Sequence, residues 1–254
     1  MVQAAIKAGR SLARDFGEVE NLQVSRKGPS DFVSAADLNA EKIVRAELQK
    51  ARPDYGFLME EAGTIPGEDP QHRWIVDPLD GTTNFLHGIP IFNVSIALER
   101  DGVIVAGVIY NPAMDELYTA ERGRGAFMND RRLRVAARKA LPDCVVATGI
   151  PSSASATMPA RSRKSAMSWA RLPASAAAAR RARSCLDRRG RFDGFWEHGL
   201  SPWDMAAGLL MVREAGGFVT DIKGGEKMFE TRSIVAGNES IQGQLRKLLA
   251  NAND

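Results

Sequence analysis

Val2, Ala5, Ile6, Leu12, Ala13 and Phe16 recur at helical spacing, with the small Gly9 on the same face. Residues 2–17 therefore read as an amphipathic helix rather than a secretory leader. From Asp37 to about Lys50 a second helix is predicted, with Ala40, Ile43, Val44 and Leu48 on one face. The pattern then shortens. Residues 56–59 are apolar and end in Glu60-Glu61 and a loop containing Gly63. Residues 66–70 are rich in turn formers, and 74–77 read as a short strand ending in an acid, with Asp80 in the following turn. Residues 92–98 and 103–110 are β-rich, and Asp101-Gly102 between them is a hairpin signal. Residues 117–120 and 125–127 flank another turn.

Further on, 144–149 reads as a buried strand and 192–197 as another. Met205, Leu209, Leu210 and Val212 mark a helix over 203–215, which Gly216-Gly217 stops. Strands are predicted at 218–222 and 233–236, and a last helix from about 240 to 250. Hairpins dominate the first half, and strands alternate with helices in the second. An α/β protein of two subdomains, 1–140 and 141–254, is the expectation.

Composition excludes more than it identifies. With 44% hydrophobic residues the chain can bury a sizeable core, and no apolar run reaches the roughly 20 residues a membrane helix needs. Two cysteines, Cys144 and Cys185, make no disulfide framework, which points to a reducing cytoplasm. His72, His87 and His198 are scattered and form no zinc pattern. The net charge of +3 is misleading: residues 152–189 carry +8, which leaves −5 on the other 216. No membrane or nucleic-acid partner is expected.

The candidate chemistry lies at Asp77-Pro78-Leu79-Asp80-Gly81-Thr82-Thr83-Asn84. Pro78 keeps Asp77 extended, Gly81 permits close backbone approach, and Thr82-Thr83-Asn84 can open a helix. Two carboxylates beside a helix N-terminus suit a hard cation together with a phosphate. Taken alone, Asp-x-x-Asp-Gly more often marks a capped helix with solvated acids. Three further motifs change that balance. They are Trp203-Asp204-Met205-Ala206-Ala207-Gly208 continuing to Glu214-Ala215-Gly216-Gly217, Glu60-Glu61 before a Gly loop, and Ser34-Ala35-Ala36-Asp37 preceded by Lys27. In their order along the chain the four motifs resemble the signatures of the inositol monophosphatase family, across residues 2–151 and 190–238.

The resemblance implies a layered αβαβα sugar-phosphatase sandwich that works with Mg²⁺. Glu60, Asp77 and the carbonyl of Leu79 would hold one ion, and Asp77, Asp80 and Asp204 a second. Thr82 and Asp37 would orient and help deprotonate the attacking water, with Glu60 also counted as catalytic. Gly81 and Thr82 would donate backbone N–H groups to the phosphate. Glu197 would contact the hydroxyl-bearing ring, completing a substrate site shared with Glu60, Leu79, Asp80 and Asp204. A cytoplasmic homodimer, sensitive to lithium, is implied as well. The implied substrate is inositol 1-phosphate. Fructose 1,6-bisphosphate, histidinol phosphate, 3′-phosphoadenosine 5′-phosphate, and a non-catalytic role in transcription or ribosome maturation stand as alternatives.

Residues 152–189 break the pattern. They hold eleven Ala, eight Ser and nine Lys/Arg, without Val, Ile, Phe or Tyr. The resemblance implies a Gly-Ser-Ala-Ala-Leu-Asp-Leu-like stretch there. Codons for residues 181–187, read one base over, can encode Ala-Leu-Asp-Leu-Ala-Trp, so a reading-frame shift repaired near residue 188 is the favoured explanation. A divergent Ala/Arg-rich helical insert and a basic nucleic-acid patch are the competing readings.

Overall fold

The computed structural model describes residues 1–18, 24–28, 31–148 and 192–251. The expected frame shift and its competing readings fall outside them. Helix α1 spans Val2–Phe16. Strands β1 (Val24–Gly28) and β2 (Asp31–Ser34) pair antiparallel, and α2 (Ala35–Ala51) follows directly. It begins earlier than its apolar spacing suggested because Ser34 caps it.

The first sheet contains β3 (Tyr55–Met59), β4 (Gly63–Ile65), β5 (Asp69–Asp80), β6 (Asn93–Arg100), β7 (Val103–Asn111), β8 (Glu116–Glu121), β9 (Gly125–Met128) and β10 (Arg131–Arg132). Their order is β10-β9-β8-β7-β6-β5-β3-β4. A five-residue helix, α3 (Thr82–Leu86), links β5 to β6. A second sheet, ordered β11-β12-β14-β13, contains β11 (Val146–Thr148), β12 (Gly194–His198), β13 (Phe218–Thr220) and β14 (Ser233–Gly237). Helices α4 (Pro202–Glu214), α5 (Met228–Thr231) and α6 (Glu239–Asn251) complete the described part. None of its helices is long and apolar enough to cross a membrane.

Strand β5 corrects the sequence reading. It runs twelve residues and takes in Pro70, Pro78 and Asp80, which turn propensities had placed in loops. Proline cannot donate to a ladder, so it is tolerated at a strand start or a bulge. Pro70 stands at the start. At Pro78 the register against β6 shifts: Asp77 pairs with Ser95, and Asp80 resumes opposite Asn93. Asp80 is thus held in the sheet beyond a bulge, not in a free turn.

Alternation along the strands sorts side chains to two faces. Phe57, Met59, Trp74, Val76, Val94 and Ile96 face α1 and α2, where they meet Ala5, Leu12, Val44 and Leu48. Ile75, Ala97, Ile109 and Tyr118 face the other way, onto Ala206, Ala207, Leu210 and Met211 of α4. The opposite side of α4 packs Met205, Leu209 and Val212 on Phe195, Val219 and Ile234 of the second sheet. Beyond that sheet, Ile241, Leu245 and Leu249 of α6 cover Val146, Trp196 and Val235. The layers run αβαβα, as expected. Because α4 is buried on both sides it is apolar nearly all round. The small Ala207 has a spatial cause: a β-carbon on Gly107 of β7 would lie 3.1 Å from Ala207 Cα.

Candidate active site

Asp37 and Asp204 reach their places by the same local device. Each is the third residue of a helix whose N-cap is serine, Ser34 for α2 and Ser201 for α4. Asp37 Oδ2 accepts from the Ser34 N–H at 2.8 Å and from its hydroxyl at 2.5 Å. Asp204 Oδ2 accepts from the Ser201 N–H at 2.7 Å. Reciprocal capping of this kind fixes a side chain while satisfying orphan backbone donors.

Thr82 opens α3 just after Gly81, whose φ of +90° suits glycine. The Thr82 hydroxyl lies 3.0 Å from Asp37 Oδ1 and 3.1 Å from the Leu79 carbonyl oxygen. One proton therefore faces two acceptors. Asp37 is 1% exposed, and burial pushes its carboxyl above the ordinary range, against the lowering effect of the Ser34 and Thr82 hydrogen bonds. Asp77 and Asp80 are 0% and 4% exposed. Asp77 Oδ1 accepts the Leu79 N–H at 3.2 Å across the bulge, and Asp80 Oδ2 accepts the Asn93 amide at 3.1 Å.

Strand alternation places the remaining acids. Asp77 follows Ile75 onto the α4 side of the sheet, and Glu60, the first residue after β3, is tied next to it by its N–H bond to Val76 O at 3.2 Å. On the second sheet Glu197 follows Phe195 toward α4. Leu209, Leu210 and Arg213 of α4 border one cavity with Gly102, Val103 and Ile104, at the end of the sheet opposite Asp80. The N-terminal turn of α4, with Asp204, therefore lies toward the end where β5 finishes. Asp77 and Asp204 share one face and one end, the Glu60 backbone lies at that same end, and Asp37 approaches from the other face through Thr82. Among the described residues no three Asp, Glu, His or Cys side chains converge closely enough to make a preformed metal cluster. The candidate donors are all oxygens, four carboxylates and a carbonyl, which fits a hard divalent cation rather than zinc or copper.

Two polar residues of this region escaped the sequence reading. Asn93 sits inside an apolar run, and that anomaly was its signal. Glu41 stands four residues after Asp37 on α2, and helical spacing could have found it. Glu214, by contrast, belongs to the second signature yet does structural work: its Oε1 and Oε2 accept the Gly123 and Gly125 N–H groups, both at 2.8 Å, clamping the β8–β9 turn. His87, one of the three scattered histidines, is exposed, with Nδ1 2.7 Å from Thr83 O.

Fold and acids together define a layered α/β protein with an all-oxygen acidic site at one sheet end. A family model described as the inositol monophosphatase family matches residues 1–254. An inositol-1-monophosphatase from Mesorhizobium japonicum is 64% identical over 256 residues, covering 97% of this chain and 93% of that protein. The Nus factor SuhB of Escherichia coli K12 is 38% identical over 262 residues, covering 100% and 94%. A crystal structure of the extragenic suppressor protein suhB from Bartonella henselae superimposes with a TM-score of 0.90 at 60% identity, covering 98% of this chain and 96% of that one. The chain belongs to the inositol monophosphatase family and is a phosphatase, in a family that is generally metal-dependent.

Proposed function

We propose that this phosphatase hydrolyses myo-inositol 1-phosphate to inositol and phosphate with Mg²⁺, in the cytoplasm and as a homodimer. The observation that carries the reading is the Asp37–Thr82–Leu79 contact set beside the buried Asp77 and Asp80. Identity of 64% to a protein named inositol-1-monophosphatase supports the choice of substrate. Glu60, Asp77 and the Leu79 carbonyl would hold one ion, and Asp77, Asp80 and Asp204 another. When bound, the ions supply charge neutralisation and a water of lowered pKa.

The chain's own groups do the positioning. Asp37 Oδ1 takes the Thr82 hydroxyl proton, so the lone pairs of Thr82 Oγ1 are left to accept a proton from the attacking water. Burial of Asp37 raises its affinity for that proton, which suits a base more than a solvated aspartate would. Asn93 restrains Asp80, and the Ser201 cap restrains Asp204. Backbone N–H groups of Gly81 and Thr82 would donate to the phosphate, and Glu197 would accept from a ring hydroxyl. Phosphate release from myo-inositol 1-phosphate, measured with Mg²⁺ and with EDTA, tests the proposal. Release in EDTA equal to that in Mg²⁺ would refute the metal assignment, and release from another ester alone would refute the substrate.

A binding role in transcription is the second reading, supported by the 38% identity to a Nus factor. Normal turnover would not remove that role. Absence of turnover on every small ester would favour it.

A further inference from the structure

Glu41 is a buried carboxylate, 7% exposed, on the face of α2 that also carries Asp37 one turn earlier. A glutamate is seldom buried to that degree without a polar task. Its Oε2 accepts the backbone N–H of Glu61 at 2.9 Å. That amide belongs to the residue directly after Glu60, at the point where β3 ends and the chain turns into β4. Glu60 is thus held on both sides: its own N–H bonds to Val76 O on β5 at 3.2 Å, and the next N–H bonds to α2. The peptide between Glu60 and Glu61 is pinned between the sheet and the helix.

We propose that Glu41 is a positioning residue for metal binding: its carboxylate oxygen fixes the Glu60–Glu61 peptide and thereby aims the Glu60 side chain at the metal site. This rests on the reading of Glu60 as a ligand given above. Groups that hold a ligand in place commonly contribute roughly 10–100-fold to metal affinity. The position of the acceptor oxygen does the work here, not the charge of Glu41.

Two mild substitutions separate those causes. E41Q keeps an acceptor oxygen at the same reach and drops the charge. E41D keeps the charge and withdraws the oxygen by one methylene. Mn²⁺ binding to the metal-stripped full chain, followed by electron paramagnetic resonance, gives an affinity without turnover. Mg²⁺ dependence of phosphate release and the melting temperature in EDTA accompany it. E41Q is expected to bind Mn²⁺ within about threefold of wild type, and E41D roughly 10–100-fold more weakly. The Mg²⁺ requirement should rise in E41D in the same proportion, with a smaller change in turnover at saturating Mg²⁺. Equal affinity of E41D and wild type, or equal loss in E41Q and E41D, overturns the proposal. Failure of the wild-type chain to bind Mn²⁺ overturns instead the metal reading on which it rests.

Discussion

Replacing Gly81 by alanine tests how the backbone sets the site. Gly81 has φ +90° and separates Asp80 from Thr82. A residue with a β-carbon in such a conformation costs roughly 1–3 kcal/mol. A second cost comes from space: the new carbon would lie 2.9 Å from the Ile91 carbonyl oxygen and 3.4 Å from Phe92 Cα, both backbone atoms. Neither can rotate away, so the turn into α3 must move. Overpacking of this sort costs typically about 1–3 kcal/mol. Together they give about 2–6 kcal/mol, and at about 2–4 °C per kcal/mol for a chain of this size the melting temperature should fall by roughly 4–24 °C. Gly88 supplies the control, since its φ is +68° and a β-carbon there meets nothing within 4 Å. G88A should lose the conformational part alone and keep its activity. G81A should also lose turnover, because moving Thr82 breaks contacts of 3.0 and 3.1 Å to Asp37 and Leu79. Calorimetry and phosphate-release kinetics on both variants decide the matter. Equal melting temperatures for G81A and G88A, with turnover unchanged in G81A, would refute the reasoning.

Other expected outcomes follow from the same geometry. Asp37 has a raised folded-state pKa, chiefly from burial, so its contribution to stability is present below the ordinary carboxylate range and is lost as pH rises through the folded value. D37N, which does not ionise, should therefore gain on wild type in urea midpoint, measured in EDTA, as pH rises from about 4 to 7; a constant difference would contradict this. S201A should lose about 1 kcal/mol of stability with the metal requirement unchanged, whereas D204N should raise the Mg²⁺ requirement while keeping a cap acceptor. Identical profiles for the two would mean that Asp204 is only a cap. Restoring the alternative frame over residues 152–189 should raise both melting temperature and turnover, because Ala, Ser and Arg bury little apolar area. No change in either would remove the frame-shift explanation.

The legible features were those carried by neighbours in sequence. The Ser34-Ala35-Ala36-Asp37 motif was visible because its residues adjoin, although apolar spacing began α2 at Asp37 and missed the Ser34 cap. The length of β5 was not legible, because Pro70 and Pro78 are turn formers by local propensity. What makes them tolerable is the pairing of β5 with β3 on one side and β6 on the other. The Ala-Ala-Gly run of α4 was visible as part of a motif, but the close approach of Gly107 that calls for a small residue at Ala207 was not. The acids were identifiable by motif, but their arrangement was not. Strand alternation from Ile75 to Asp77 puts one of them on the side where α4 lies, and the bond from Glu60 N–H to Val76 O brings the Glu60 backbone beside it, over distances no local pattern encodes. The Asn93–Asp80 and Glu41–Glu61 contacts, 13 and 20 residues apart, stayed hidden for the same reason.

The most direct test is phosphate release from myo-inositol 1-phosphate by the purified chain and by D77N, across a Mg²⁺ titration. Asp77 is fully buried and is the acid assigned to both ions. Wild type should release phosphate only when Mg²⁺ is present, and D77N should release almost none at any Mg²⁺ concentration while remaining folded. Undiminished release by D77N, or release by wild type in EDTA, would contradict the assignment of this site.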